Sequence, residues 1–341
     1  MGNLNKNSQT QNQCIKLSLL NIIQQKEQCN SLTFNQDASI LLAGCNNQIK
    51  VFFFKREELK LINKLCSHKS NLITLNYMKN SQNFVSGSRD DTIIIWSINL
   101  ISKSLILNKL YINSQGEKGV LCLIINKNED LIISGYQDST IKFWKKVFNT
   151  QQWMCCQIIR DHFWEVFALS LNEDQNKIIS CGYDKFILII SQQTIETEQK
   201  WIVIQKIELN NFGCRLCFIN NYLFTFQPYQ SSELLIYEFN KSQQQFNETP
   251  KRLHVEGRGQ ACASLFPQKF IYQQNLLISK NGYKVNFLKL VKIDDNIDFI
   301  LDSSLDFGDN CIYGNVSENG EYFVTWDEQS KEIQIRKFQQ Y

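Results

Sequence analysis

His68, Ser86 and Asp90 bring together the imidazole, hydroxyl and carboxylate of a nucleophilic hydrolase site, with Trp96 close behind them in the chain. The histidine precedes the aspartate by 22 residues and the serine precedes it by four. His162, Ser180 and Asp184 repeat both spacings, while Ser134 and Asp138 repeat the second, with Trp144 in the place of Trp96. Catalysis needs one such set in one pocket, so a set that recurs along the chain points to a device of the fold. A hydrogen-bond chain meets that description. A tryptophan buried between sheets must satisfy its indole N–H, a serine hydroxyl on the adjacent strand can accept it, and a histidine on the incoming loop can bridge that serine to the turn aspartate. The sets are unequal, with Gly116 in the histidine place of the Ser134 set and Ile190 in the tryptophan place of the His162 set.

Other chemistry finds little support. With His68 and His162 so employed, only His254 remains for a metal or acid–base site. Cys214 and Cys217 form a single C-x-x-C without a second pair, and on a strand residues three apart face opposite sides. Cys155 and Cys156 point to opposite faces for the same reason and read as buried filler. Neither G-x-x-x-x-G-K nor G-x-G-x-x-G occurs, and Gly257-Arg258-Gly259 is too short to cradle a phosphate. No metal, cofactor or small-molecule substrate is expected. Against 36 Lys and Arg stand 33 Asp and Glu, a net charge of +3 without a polybasic tract, which disfavours a nucleic-acid partner. No apolar run reaches the ~18 residues of a membrane helix, so a membrane partner is not expected either. Residues 1–13 are polar and read as a disordered tail ahead of a domain at 14–341. Twelve cysteines without an apolar leader read as reduced and mostly buried, in a cytoplasmic protein. The Met1-Gly2 start resembles an acylation signal, but Lys6 stands where Ser or Thr is required.

Hairpins must hold the repeated residues in place. In 84–98, β-branched and aromatic runs flank Gly87-Ser88-Arg89-Asp90-Asp91, whose side chains favour turns, and near-copies follow at 132–144 and 178–190. Aligning the Trp96 position along the chain gives Phe52, Trp144, Ile190, Tyr237, Phe287 and Arg336, seven units with a period of about 47 residues. A hydrophobic content of 43%, with 12% aromatic residues, can fill a large core. Short strands at this period, without helical spacing of apolar residues, specify a β-propeller. The last unit supplies only three strands, near 311–317, 322–326 and 332–338, and a lone strand at 14–25 has no unit of its own. The two complete each other. The fold expected is all-β, a single seven-bladed β-propeller closed by an N-terminal strand that completes the last blade. Blades five to seven lose nearly all of the recurring set and are expected to rely on apolar packing alone.

The recurring Asp, His, Ser and Trp resemble the tetrad of the WD-repeat family. The resemblance covers essentially the whole chain and is most specific in blades two to four. It implies a non-enzymatic scaffold that holds other proteins in a multi-subunit complex and docks them on the face of tight turns and blade-entering loops. On that face project the residues before each turn aspartate, Arg89, Gln137 and Tyr183, together with Phe163, Trp164 and Glu165 of the loop entering blade four. Exposed Trp, Tyr and Arg are the side chains that dominate binding hot spots. Residues 153–169 are also similar to the corresponding region of the WD-repeat subunit of the cytosolic iron–sulfur protein assembly targeting complex. That likeness implies an adaptor that helps to deliver clusters without binding one. The alternatives are a scaffold of another intracellular complex, of G-protein-β-like, ciliary or cytoskeletal type, and a hydrolase-type propeller whose walls form a pocket.

Overall fold

Short β-branched and aromatic runs, each ended by a turn, pair as antiparallel hairpins, and hairpins in succession build four-stranded sheets. The computed structural model describes residues 14–97, 110–113, 118–147, 152–257, 266–293 and 296–339, which form seven such sheets set as blades around one axis. Gly116, Arg258, Gly259 and residues 1–13 lie outside the described residues. The innermost strands are Cys29–Phe34, Leu72–Tyr77, Val120–Ile125, Val166–Leu171, Arg215–Asn220, Lys269–Ile271 and Ile312–Val316. They line a central channel of about 520 Å³.

Seven apolar clusters fill the seven seams between blades. Ile40, Ile49 and Leu65 of blade one meet Leu75, Phe84 and Trp96 of blade two, and Cys29, Phe34 and Phe52 of blade one meet Tyr313, Val324 and Trp326 of blade seven. The ring is therefore closed. Its last blade has the strand order Leu17–Gln24, Glu332–Phe338, Tyr322–Asp327, Ile312–Val316, so the N-terminal strand supplies the outer edge that the C-terminus lacks. The Trp326 indole N–H donates to the Gln25 carbonyl at 2.9 Å and fixes the chain that leaves this strand.

The Trp96 position faces the preceding blade wherever the alignment holds. Trp96 stacks on Phe84 with ring planes 8° apart, and Tyr237 stacks on Phe224 at the same angle. In blade six the alignment is corrected by one residue. Leu288 faces blade five beside Cys217 and Ile219, while Phe287 turns to Phe323 and Phe338 of blade seven, with ring centroids 5.6 and 5.9 Å away. The strand pairing shows it directly: Leu288 stands opposite Leu277 as Trp96 stands opposite Phe84, whereas Phe287 pairs with Ile278. A slip of one residue reverses the side-chain face.

Two further expectations are corrected. Blades five to seven are not held by apolar packing alone: Thr225 donates to Gln268 Oε1 (3.0 Å), Gln268 donates to Ser279 (2.8 Å), and the Arg336 guanidinium donates to Thr325 (3.1 Å). A blade seam is dry, so whatever polar group enters it must find a partner there. Nor, among the described residues, are the cysteines mostly buried. Cys29, Cys45, Cys181, Cys214 and Cys217 are, but Cys14, Cys66, Cys155 and Cys156 are exposed. Cys155 and Cys156 lie on Trp153–Ile159, the outermost strand of blade three, where no further strand covers them.

Inside blade two the recurring residues form one chain of hydrogen bonds. The Trp96 N–H donates to Ser86 (2.7 Å), Ser86 meets His68 Nε2 (2.7 Å), and His68 Nδ1 meets the Asp90 carboxylate (3.1 Å). One direction of donation satisfies all four: indole to hydroxyl, hydroxyl to Nε2, Nδ1–H to carboxylate. In blade four His162 reaches Ser180 and Asp184, each at 2.8 Å, with Ile190 in place of the indole. In blade three Trp144 donates to Ser134 (2.8 Å). Each aspartate also caps its own turn, accepting from the amide two residues on: Thr92 at 3.0 Å, Thr140 at 3.1 Å and Phe186 at 3.2 Å. The residue between them, Asp91, Ser139 or Lys185, takes a left-handed φ of 62–68°. In blades two and four the aspartate further accepts the amide after the histidine, Lys69 at 2.6 Å and Phe163 at 2.9 Å. A single carboxylate thus ties the tight turn to the loop entering its blade.

Burial raises the pKa of Asp90, but the His68 hydrogen bond, the Thr92 hydroxyl and the Lys69 amide outweigh it and hold the carboxyl well below the usual range. Asp184 is lowered against its burial by His162 and by the Phe163 and Phe186 amides. A carboxyl whose pKa is lower folded than unfolded stabilises the fold above its ordinary pKa, and that stability is lost as pH falls through the folded value. Asp90→Ala should cost about 1–3 kcal/mol at neutral pH, measured by chemical denaturation. The gap to wild type should narrow below about pH 4. Equal stability at neutral pH would show that the chain of bonds contributes nothing. Removing residues 14–25 should uncover Glu332–Phe338 as an edge, lower the melting midpoint and promote self-association on size exclusion.

Candidate docking face

The His, Ser and Asp groups that suggested chemistry are spent inside the blades. Among the described residues no three His, Cys, Asp or Glu side chains gather as metal ligands. Cys214 and Cys217 are both buried, and burial pushes the Cys217 thiol up to about 12.

The clamped turns and loops form one face of the ring. The residue before each turn aspartate is held by the entering loop of its own blade. The Arg89 amide donates to the Asn71 carbonyl (2.9 Å), Gln137 to Gly119 (3.1 Å) and Tyr183 to Glu165 (3.0 Å). Arg89 is exposed, Gln137 and Glu165 are half-buried, and Gln137 Nε2 donates to the Glu165 carboxylate (3.1 Å). Both, with Arg89, Gln28, Asn71 and Tyr313, line the channel mouth, a cavity of about 250 Å³. Phe163, Trp164 and Tyr183 are 69%, 60% and 48% exposed.

The sequence-predicted residues of blade four belong to a larger aromatic ribbon. Trp164 meets Tyr183 edge-on at 6.1 Å, Tyr183 meets Phe212 at 4.5 Å, and Phe212 stacks on Tyr229 at 4.5 Å with planes 19° apart. Phe167 supports Tyr183 and Phe212 from the innermost strand, at 6.2 and 6.3 Å. Phe163 stands apart, its ring capped by Lys206 Nζ at 4.3 Å while Lys206 donates to the Asp161 carbonyl (2.9 Å). Phe212 and Tyr229 were not singled out in the sequence, although they follow Trp164 and Tyr183 by about one blade period of ~47 residues. The blade-to-blade alignment, carried from the strands into the loops, is the signal that finds them.

On the opposite face several neighbouring blades are joined through their turns, by Asn80 to the Lys127 carbonyl (2.6 Å), the Lys127 amide to Gln175 (2.9 Å), the Asp174 amide to Asn221 (3.1 Å) and Gln274 to the Gly320 carbonyl (2.9 Å). Glu318 bridges Lys269 (2.8 Å) and Lys79 (2.7 Å). Burial raises the Glu318 pKa, yet the two ammonium groups hold it at about 2.

The model of the WD domain, G-beta repeat, matches residues 59–97, 108–145 and 153–191. A bromodomain and WD repeat-containing protein of Dictyostelium discoideum is 23% identical over 188 residues, 50% of this chain and 8% of that protein. A p21-activated protein kinase-interacting protein 1-like of Danio rerio is 30% identical over 149 residues, 42% of this chain and 37% of that protein. The U3 small nucleolar RNA-associated protein 4 of Saccharomyces cerevisiae is 24% identical over 181 residues, 50% of this chain and 23% of that protein. The chain thus aligns with well under half the length of these curated relatives. Three repeats of this chain match that model, and they sit in a closed ring of seven four-stranded blades, a β-propeller.

Proposed function

We propose that this chain is a protein-interaction scaffold that docks its partner on the aromatic ribbon of blades four and five. The observation that carries the reading is the line of rings Trp164, Tyr183, Phe212 and Tyr229, fixed to the ring of blades by backbone bonds, with Trp164 and Tyr183 exposed and Phe212 and Tyr229 half-buried beside them on the face that holds the channel mouth. Rigid aromatic side chains offer large contact area at small cost in conformational entropy, and they are over-represented among the residues that dominate binding. WD-repeat propellers generally act as scaffolds rather than enzymes, and the relatives whose printed names speak of interaction or association agree with that role. The narrower reading, an adaptor for cytosolic iron–sulfur targeting, rests on the likeness within residues 153–169.

The tagged protein, recovered from its native lysate with its partners, should lose a defined set of them in the Trp164→Ala, Tyr183→Ala double variant. Tyr222→Ala, an exposed aromatic outside the ribbon, should retain them. Loss at the ribbon of roughly 2 kcal/mol or more, measured on a purified partner, is the hot-spot signature. Partners retained by the double variant would overturn the docking face. Iron–sulfur assembly factors among those lost would support the narrower reading, and an unrelated complex would dismiss it.

A further inference from the structure

Cys29 and Cys45 stand opposite each other on neighbouring antiparallel strands of blade one. The Asn46 amide donates to the Gln28 carbonyl (3.2 Å), so the adjacent pair, Cys29 with Cys45, is of the non-hydrogen-bonded kind. Pairs of that kind bring their Cα atoms to about 4.5 Å, inside the ~4.4–6.8 Å that a disulfide spans. Both side chains enter the same apolar cluster, at the seam where blade one meets blade seven, and they are 0% and 1% exposed. Each thiol donates to the carbonyl two residues before it, Cys29 to Glu27 (3.7 Å) and Cys45 to Ala43 (3.6 Å). Rotation of the two side chains toward each other would bring the sulfurs into position for a cross-strand bond.

We propose that Cys29 and Cys45 are a two-electron oxidation site that closes to a cross-strand disulfide with hydrogen peroxide as the oxidant. One thiolate attacks a peroxide oxygen, the O–O bond breaks, and a sulfenic acid and water result. The second thiolate then attacks the sulfenic sulfur and expels hydroxide, which takes up a proton. Two thiols and one peroxide become one disulfide and two waters. Burial pushes the Cys29 thiol up, and the Cys45 thiol adds to the effect, so thiolate is scarce while the strands stay paired. The reaction therefore proceeds through brief openings at the end of the strand, where the neighbouring Gln28 lines the channel mouth. The bond would tie the first two strands of blade one at the seam that closes the ring.

The full chain is treated with peroxide, quenched, denatured and alkylated, then digested with trypsin. Residues 27–50 contain no Lys or Arg before Lys50, so both cysteines fall in one fragment. That fragment should appear unalkylated and about 2 Da lighter than its reduced form, and dithiothreitol should restore it. Cleavage before Asp37 should leave two pieces joined through sulfur. The product should vanish in Cys45→Ala and persist in Cys155→Ala, and the oxidised wild type should melt higher than the reduced. Alkylation of both cysteines after peroxide, linkage of either to a different cysteine, or recovery only as sulfinic and sulfonic acids would overturn the proposal. The mass of the wild-type fragment decides it even if the variant fails to fold.

Discussion

Each blade is a four-stranded sheet with apolar side chains on both faces, and it can bury neither face by itself. Trp96 turns one way from blade two and Ile93 and Ile95 the other, into the seams with blades one and three. Only a neighbour on each side removes both faces from water, and for seven equal units that condition is met by a closed ring. Trp96 and Trp326 are both fully buried in this way. At ~25 cal/mol per Å² over about 150–250 Å², each gains about 4–6 kcal/mol as an upper bound. That gain exists only while the adjoining seam is shut, so the exchange of a strand between the two ends of the chain stabilises residues far from either end.

Apolar seams place the blades but leave the loops above them free. The turn aspartates do the rest. Asp90 and Asp184 each accept the amide of their own hairpin and the amide of the entering loop, with the histidine behind them tied to the serine inside the sheet. A local turn is thereby registered against the core rather than against solvent. Tyr183, beside such an aspartate, inherits a fixed position, and so does Trp164 across from it.

Strand periodicity made the architecture legible because the apolar pattern and the ring impose the same repeat. The closing strand could be inferred by counting: three strands at one end, one left over at the other. The blade-six register could not, because Phe287 and Leu288 are both apolar and leave a slip of one residue unmarked. The exposure of Cys155 and Cys156 escaped for a related reason, since the sequence does not distinguish an outermost strand from an inner one when both are apolar. Of the ribbon, Trp164 and Tyr183 were legible beside their tetrad. Phe212 and Tyr229 were not, because blade five lacks the His, Ser and Asp that announce the loop.

That lack did not cost blade five its loop geometry. The Tyr229 amide donates to the Phe212 carbonyl at 2.7 Å, the same tie that joins Tyr183 to Glu165 one blade earlier. In place of a carboxylate, Asn211 Nδ2 reaches back to the Tyr229 carbonyl (2.7 Å). The buried Gln227 amide donates to the carbonyls of Ser231 (3.0 Å), Pro228 and Glu233 (3.3 Å each). Two neutral amides thus do what a histidine and an aspartate do in blade four. Because they carry no charge, the blade-five half of the ribbon is indifferent to the acid that would protonate Asp184. Loss of the tetrad in this blade is therefore a change of hydrogen-bonding chemistry beneath a retained surface, and the continuity of four rings across the two blades depends on the geometry of the loops rather than on the identity of the residues that hold them.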